Sequence, residues 1–207
     1  MTANENHQEL EVKFYLCDLQ GVETRLLALE AQLAQPRIYE INLRFDTPKN
    51  ELSLSNQVLR LRKDSESRIT YKGPIETLEG VRVREELEFT VSDFNTAQAL
   101  LEALGYRVAV MYEKYRAAYR LGDALITLDE MPYGLFVEIE GPDSATIQSA
   151  AEQLGLDWNK RILDSYMMLF QRLRQKMGFN FRDLSFENFA ALTISADDLG
   201  VMQVIGN

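Results

Sequence analysis

A single cysteine, Cys17, and a single histidine, His7, in 207 residues remove several chemistries at once. One thiol allows no intrachain disulfide and no thiolate metal cluster. One imidazole rules out a His-rich zinc site and argues against a Ser/His/Asp triad. His7 itself reads as a partly solvated residue just ahead of the first strand. A basic excess is also missing: 22 Lys and Arg stand against 32 Asp and Glu, a net charge of −10. That balance argues against a nucleic-acid surface and against adsorption to anionic membranes, although a local basic cluster fits inside an acidic shell. No run approaches eighteen apolar residues, and the opening MTANENHQELEV has no basic segment leading into an apolar one. Neither a membrane span nor a secretory signal is expected, and a cytoplasmic protein is the default.

What is present suits one sizeable soluble domain: 46% hydrophobic and 26% charged residues, with no repeat, low-complexity tract or long linker. Alternation and β-prone residues predict strands at 8–17, 38–45, 57–63, 68–73, 82–91, 107–121, 124–130 and 135–141. Helical spacing predicts helices over 19–33, ending before Pro36, and over 94–104 behind a Ser92-Asp93 cap and closed by Gly105. Further helices are expected to open at Gly141-Pro142-Asp143-Ser144 and run to about Leu154, and to cover 160–177 and 182–193. In the last stretch Phe179, Phe181, Leu184, Phe186 and Phe189 point to a segment packed back on the body. Eight strands with hairpin spacing and an α-rich tail make this an α+β chain built on an antiparallel sheet, and closure into a barrel would remove exposed edges.

The strands share a further property. Side chains alternate between the two faces of a strand, and one parity carries Glu9, Glu11, Lys13; Arg60, Arg62; Lys72; Arg84, Glu86, Glu88; Lys114, Arg116; Asp129; and Glu138, Glu140. The other parity carries Leu10, Val12, Leu59, Leu61, Ile69, Leu87, Leu128, Val137 and Ile139. On an antiparallel strand such alternation ordinarily marks a solvent face. Two observations favour an enclosed charged face instead. Charges stand at consecutive same-face positions with little Ser, Thr, Asn or Gln between them, and the amphipathic helices need an apolar sheet face to cover. An enclosed face carrying both signs is expensive unless each charge is paired or coordinated. Carboxylate pairs suit Mg²⁺ or Mn²⁺, and the Arg and Lys side chains suit phosphate. A polyanion accompanied by metal fits such a face.

These residues also carry a resemblance. Glu9-Leu10-Glu11-Val12-Lys13 resembles the ExExK opening of the CYTH superfamily, the triphosphate tunnel metalloenzymes. Phe45-Asp46-Thr47-Pro48, Leu59-Arg60-Leu61-Arg62, Thr70-Tyr71-Lys72-Gly73-Pro74 and Arg84-Glu85-Glu86-Leu87-Glu88 follow in family order. Glu113-Lys114-Tyr115-Arg116, Leu128-Asp129-Glu130, Phe136 to Gly141 and Ser165-Tyr166 complete the series, so the resemblance spans residue 9 to about 170. Two departures stand out: Arg44, where many relatives have an aromatic residue, and the tail beyond Met177.

The resemblance implies an eight-stranded antiparallel β-barrel, a tunnel with a charged interior and helices packed outside. Residues 1–177 would form this domain and residues 178–207 a helical extension packed on it. It implies a divalent cofactor, Mg²⁺ or Mn²⁺, held by Glu9, Glu11, Glu138 and Glu140 with Glu86, Glu88 and Asp129 as ligands or close by. Lys13, Arg60, Arg62, Lys72, Lys114 and Arg116 would bind a triphosphate, joined by Arg84. Glu9, Glu11 and Lys13 would be catalytic, Lys13 acting as a base at lowered pKa if a second metal does not activate the nucleophile. The partner is then a triphosphate-containing small molecule, with no nucleic acid and no membrane, and the protein a monomer or homodimer. Three readings stay open: hydrolysis of the terminal phosphate, cyclisation of ATP to cyclic AMP and pyrophosphate, and non-catalytic binding of polyphosphate or nucleotide.

Overall fold

A computed structural model describes residues 10–74, 76–78, 81–83 and 85–204. In chain order the elements are β1 (Leu10–Leu16), α1 (Gln20–Ala28), β2 (Gln32–Asp46), α2 (Glu51–Leu54), β3 (Val58–Lys63), β4 (Ser67–Lys72), β5 (Glu76–Leu78), β6 (Val81–Val83), β7 (Glu86–Val91), α3 (Phe94–Ala103), β8 (Arg107–Leu121), β9 (Ala124–Met131), β10 (Gly134–Gly141), α4 (Ser144–Gln153), α5 (Tyr166–Met177), α6 (Phe186–Phe189), α7 (Ala196–Leu199) and β11 (Gln203–Val204). The class is α+β, as expected. Each of the eight expected strands has a counterpart, but the described residues hold eleven strands. Two are additions, β5, which pairs with β6 in a small hairpin, and β11, which lies parallel to β1, and the strand expected over 82–91 divides into β6 and β7.

The chain divides into two compact units, residues 40–112 and residues 10–39 with 113–204. In the first, β2, β3, β4 and β7 form antiparallel ladders in that order. Leu43, Phe45, Leu59, Leu61 and Ile69 pack with Ala97 and Leu101 of α3 to make its core. In the second, β1, β10, β9 and β8 form successive antiparallel ladders. Val12, Phe14, Ile126, Leu128, Val137 and Ile139 pack against Val22 and Leu26 of α1 and Ile147, Ala150 and Ala151 of α4. In both units the apolar parity of the strands is the one the helices cover, as the alternation argument required. Val137 and Leu61 are fully buried there.

Helix starts follow their caps closely. Asp93 accepts from Thr96 N–H, Asp143 from Thr146 N–H and Ser165 from Met168 N–H. Three helix expectations need correction. The first helix stops at Ala28, not Leu33, because Glu30 takes a left-handed φ of 55° and the chain then extends as β2. Leu33 is accordingly exposed, and Pro36 sits inside the strand, where its fixed φ is tolerated. The helix expected over 160–177 begins only at Tyr166. Before it, Ile162 exchanges two backbone hydrogen bonds with Lys13 at 3.0 and 2.7 Å, which holds the segment extended. The helix expected over 182–193 shrinks to the single turn α6, and α7 and β11 were not foreseen.

The Phe45-Asp46-Thr47-Pro48 turn has a structural job. Asp46 is buried at the end of β2, and its carboxylate accepts from the N–H groups of Thr47, Leu52 and Ser53 and from the Ser53 hydroxyl. Burial pushes this carboxyl up, but the donors outweigh it and hold its pKa below 3.8. Its contribution to stability is therefore complete above the unfolded value and is lost as pH falls through the lower folded one. Asp46→Ala leaves those buried donors unsatisfied and is expected to cost about 1–3 kcal/mol at neutral pH. Urea unfolding at pH 7 and again near pH 3 checks this, with a smaller difference between wild type and variant in acid.

Candidate active site

Cross-strand register lays the charged parity of the second unit out in rows. Lys13, Glu138, Thr127 and Ala118 stand side by side across β1, β10, β9 and β8. The adjacent rows are Tyr15, Phe136, Asp129, Arg116 and Glu11, Glu140, Leu125, Arg120. Asp129 is fully buried, while Lys13 and Glu138 are 2% and 8% exposed. This is a desolvated face, so each charge needs a partner.

Asp129 is the hub. Arg116 grips it with two parallel hydrogen bonds of 2.6 and 2.5 Å, the fork geometry that suits guanidinium and carboxylate. Lys114 Nζ lies 3.5 Å from Asp129 Oδ2, and the Tyr166 hydroxyl donates to the same oxygen at 2.7 Å. Burial pushes the Asp129 carboxyl up, and Arg116 and Lys114 more than offset it, so it stays ionised. Arg116 also reaches Glu138 Oε1 at 3.4 Å, and Lys13 lies between Glu138 Oε2, at 3.4 Å, and Glu11, which it contacts directly. Burial raises both glutamates. Arg116, Lys13 and Lys114 together pull Glu138 well below the ordinary carboxylate range. Glu11 faces only Lys13 and is repelled by Glu138, so its pKa stays above 4.5. Glu138 therefore carries the firmer charge.

At Lys13 the surrounding charges act against the lowered pKa expected of a base. Burial alone pulls its ammonium down, but the Glu138 and Glu11 carboxylates push it above 10.5. It is a held cation, not the depressed base anticipated. The structure also brings in Thr127, whose buried hydroxyl has no partner among the described residues, beside Glu138. Tyr166 enters too, its ring 5.3 Å from Lys13 Nζ and 5.7 Å from Lys114 Nζ. Thr127 shares the parity of Asp129, a signal that a search restricted to charged residues passes over.

The first unit has its own charged face. Arg44, Arg60, Thr70 and Glu88 form one row across β2, β3, β4 and β7, and Asn42, Arg62, Arg68 and Thr90 the next. Arg60 donates to Thr70 Oγ1 at 3.1 Å, and the Thr70 hydroxyl donates to Glu88 at 2.7 Å. Glu88 lies 3.7 Å from Arg60 and 3.9 Å from Arg62, and Lys72 pairs with Glu86 at 3.0 Å. Glu40 is buried on the same face and accepts from Asn42 at 2.8 Å. Glu9 and Arg84 lie outside the described residues.

Both faces come close to balance. In the second unit Lys13, Lys114, Arg116 and exposed Arg120 stand against Glu11, Asp129, Glu138 and half-buried Glu140, so the face is neutral. In the first, five cations (Arg44, Arg60, Arg62, Arg68, Lys72) stand against Glu40, Glu86, Glu88 and, at the β3–β4 turn, Asp64 and Glu66, which pair with Arg62 and Arg68, so this face is balanced as well. Asp46, at the end of β2, is occupied by the N–H groups of α2 and its turn. Among the described residues no three carboxylate, cysteine or histidine side chains form a complete metal cage. A Mg²⁺ site needs fewer, since this ion is commonly held by one or two carboxylates plus substrate phosphates. The Glu11–Glu138 pair, an ammonium already between its carboxylates and the unpartnered Thr127 hydroxyl nearby, fits a hard cation. No helix among the described residues is long and apolar enough to cross a membrane.

Tyr166→Phe removes one donor to a buried, ionised acceptor and is expected to destabilise the protein by about 1–3 kcal/mol in urea unfolding. A change within 0.3 kcal/mol would mean that Asp129 does not depend on this hydroxyl.

Comparison with known proteins places this arrangement. The family description "CYTH domain" matches residues 7–166. Adenylate cyclase CyaB of Aeromonas hydrophila is 26% identical over 188 residues, 89% of this chain and 87% of that one. A Methanocaldococcus jannaschii protein provisionally named an adenylate cyclase is 27% identical over 135 residues, 64% of this chain and 75% of that one. A solved structure from Vibrio parahaemolyticus, also provisionally named an adenylate cyclase, matches with a TM-score of 0.67 at 23% identity. It covers 79% of this chain and 97% of its own, and shows a shared fold.

Proposed function

This chain belongs to the CYTH domain family, and we propose that it is a divalent-metal-dependent enzyme acting on a triphosphate, whose terminal phosphate it hydrolyses. The observation that carries this reading is the charge balance of the second unit. Four cations (Lys13, Lys114, Arg116, Arg120) and four carboxylates give a polyanion no net attraction there. A phosphate chain gains from that face only if a divalent cation arrives with it.

Glu11 and Glu138, with Glu140 in the neighbouring register position, are the side chains that would hold Mg²⁺ or Mn²⁺. Such an ion supplies charge neutralisation and polarisation of the phosphoryl oxygens. Asp129, Glu86 and Glu88 are committed to cations and act by orienting them. Lys13, held protonated, donates to a phosphoryl oxygen, and Arg116 keeps its fork aimed because Asp129 fixes it from behind. Arg60, Arg62 and Lys72 in the first unit offer the same grip on phosphate oxygens. Catalysis on this design is positioning and charge stabilisation: water attacks the terminal phosphorus, the bridging P–O bond breaks, and orthophosphate leaves.

The names of the two curated relatives favour a second reading, in which the ribose 3′-hydroxyl of ATP attacks the α-phosphorus and pyrophosphate leaves. Product analysis decides between them. Incubation with Mg²⁺ or Mn²⁺ and, in turn, inorganic triphosphate, thiamine triphosphate and ATP is expected to release orthophosphate. Cyclic AMP from ATP would select the cyclase, and no turnover of any of the three would overturn both. Glu138→Gln is expected to lower turnover about 100-fold or more while circular dichroism stays unchanged.

A further inference from the structure

Arg44 stands apart from every other cation on its face. It lies on β2, a strand from which the sequence argument drew no ligand, directly opposite Arg60 in the β2–β3 register. Its parity is that of Asn42, and its neighbours Leu43 and Phe45 point into the α3-covered core. Arg60, Arg62, Arg68 and Lys72 each meet a carboxylate. Arg44 has no hydrogen bond or ion pair among the described residues. The charges that act on it are the Tyr112 hydroxyl, the already occupied Asp46 carboxylate and, in opposition, Arg60. Burial and the Arg60 charge together hold its pKa below the ordinary arginine value. Beside it, the buried Nε–H of Arg60 also lacks a hydrogen-bond acceptor among the described residues, and that of Arg62 lies 3.4 Å from Asp64 Oδ2 without forming a hydrogen bond.

A half-buried guanidinium with a like charge opposite it and no carboxylate partner costs stability. Three guanidiniums with unused donors on two adjacent strands are a receptor for an anion rich in acceptor oxygens. We propose that Arg44 is a further phosphate-binding residue, which joins Arg60 and Arg62 in gripping a condensed inorganic phosphate and biases this face toward that ligand over a nucleotide. The reasoning is one of charge: every segment of an inorganic chain carries negative oxygens, whereas the nucleoside end of a nucleotide offers a guanidinium little. The proposal rests on the triphosphate reading for its ligand class. It differs in where the selectivity lies, and in not needing the metal, because Arg44 meets no carboxylate among the described residues and offers its charge to an anion directly.

The test is equilibrium binding of inorganic tripolyphosphate and of ATP by calorimetry, in EDTA so that no turnover occurs, with wild type and Arg44→Gln. Wild type is expected to bind tripolyphosphate without metal. Arg44→Gln is expected to raise that Kd about tenfold, the scale of one charged hydrogen bond, and to raise the Kd for ATP less than threefold. The same variant is expected to melt at an equal or higher temperature than wild type without ligand, because an uncompensated half-buried charge is gone. Absence of metal-free tripolyphosphate binding, an equal loss for both ligands, a tripolyphosphate Kd within twofold of wild type, or a lower melting temperature would each overturn the assignment. None of these bears on whether the wild-type enzyme turns over a triphosphate when metal is supplied, so failure here and failure of the enzymatic reading are separable.

Discussion

Asp129 is the residue on which the charged face of the second unit depends. A fully buried carboxylate survives only where donors surround it, and this one is surrounded by Arg116, Lys114 and Tyr166. Those donors come from β8 and from the first residue of α5, so satisfying one carboxylate ties a strand and a helix to the same point. The cations are then held from behind at fixed positions on the face. Glu138 extends the network to Lys13, and the paired backbone bonds between Lys13 and Ile162 fix the strand position of that lysine.

The segment beyond the family match is anchored to the same elements. Phe179, Phe181 and Phe189 stack on Phe170 of α5, with the first two rings 4.1 Å apart. Arg172 and Lys176 of α5 donate to the carbonyls of Leu199 and Asp197. Glu113, next to Lys114 on β8, receives the Phe186 N–H at 2.8 Å and donates its own backbone N–H to Leu184. The tail thus buttresses both elements that present donors to Asp129, and it does so with aromatic packing rather than with charges of its own.

The two faces are each close to neutral and differ in what they leave over. The second unit keeps neighbouring carboxylates that suit a cation, while in the first Arg44 meets no carboxylate among the described residues and suits an anion. Neither property is visible in the net charge of −10, which averages over the whole surface. It emerges only when each charge is assigned to a strand, a parity and a partner. Arg44 shows the value of that assignment. It is one arginine among many in the sequence, and the register opposite Arg60 makes it distinctive.

The strands and their faces were legible because side-chain alternation is a local property with a period of two. All eight expected strands appear, and the apolar parity is the one the helices cover. Capped helices were legible for the same reason: the Asp93 and Asp143 signals act within three residues. Long periodic guesses without a cap were not. Leu29 and Leu33 fit a helical spacing, yet the chain extends there because Glu30 breaks the helix and β2 claims the residues that follow.

Local rules could say that Lys13 shares a face with Glu11, but not that Glu138 would lie beside it, since that contact joins residues 125 positions apart in the chain. Residue type and alternation by themselves determined which side chains are charged, which share a face, and that a metal-accompanied polyanion suits them. Only the tertiary structure decided their protonation and their partners: Lys13 held as a cation, Asp129 committed to Arg116, and Arg44 left unmatched. The physical reason is that pairing energies and desolvation depend on distances between strands, and those distances are set by ladder register and packing, not by neighbours along the chain.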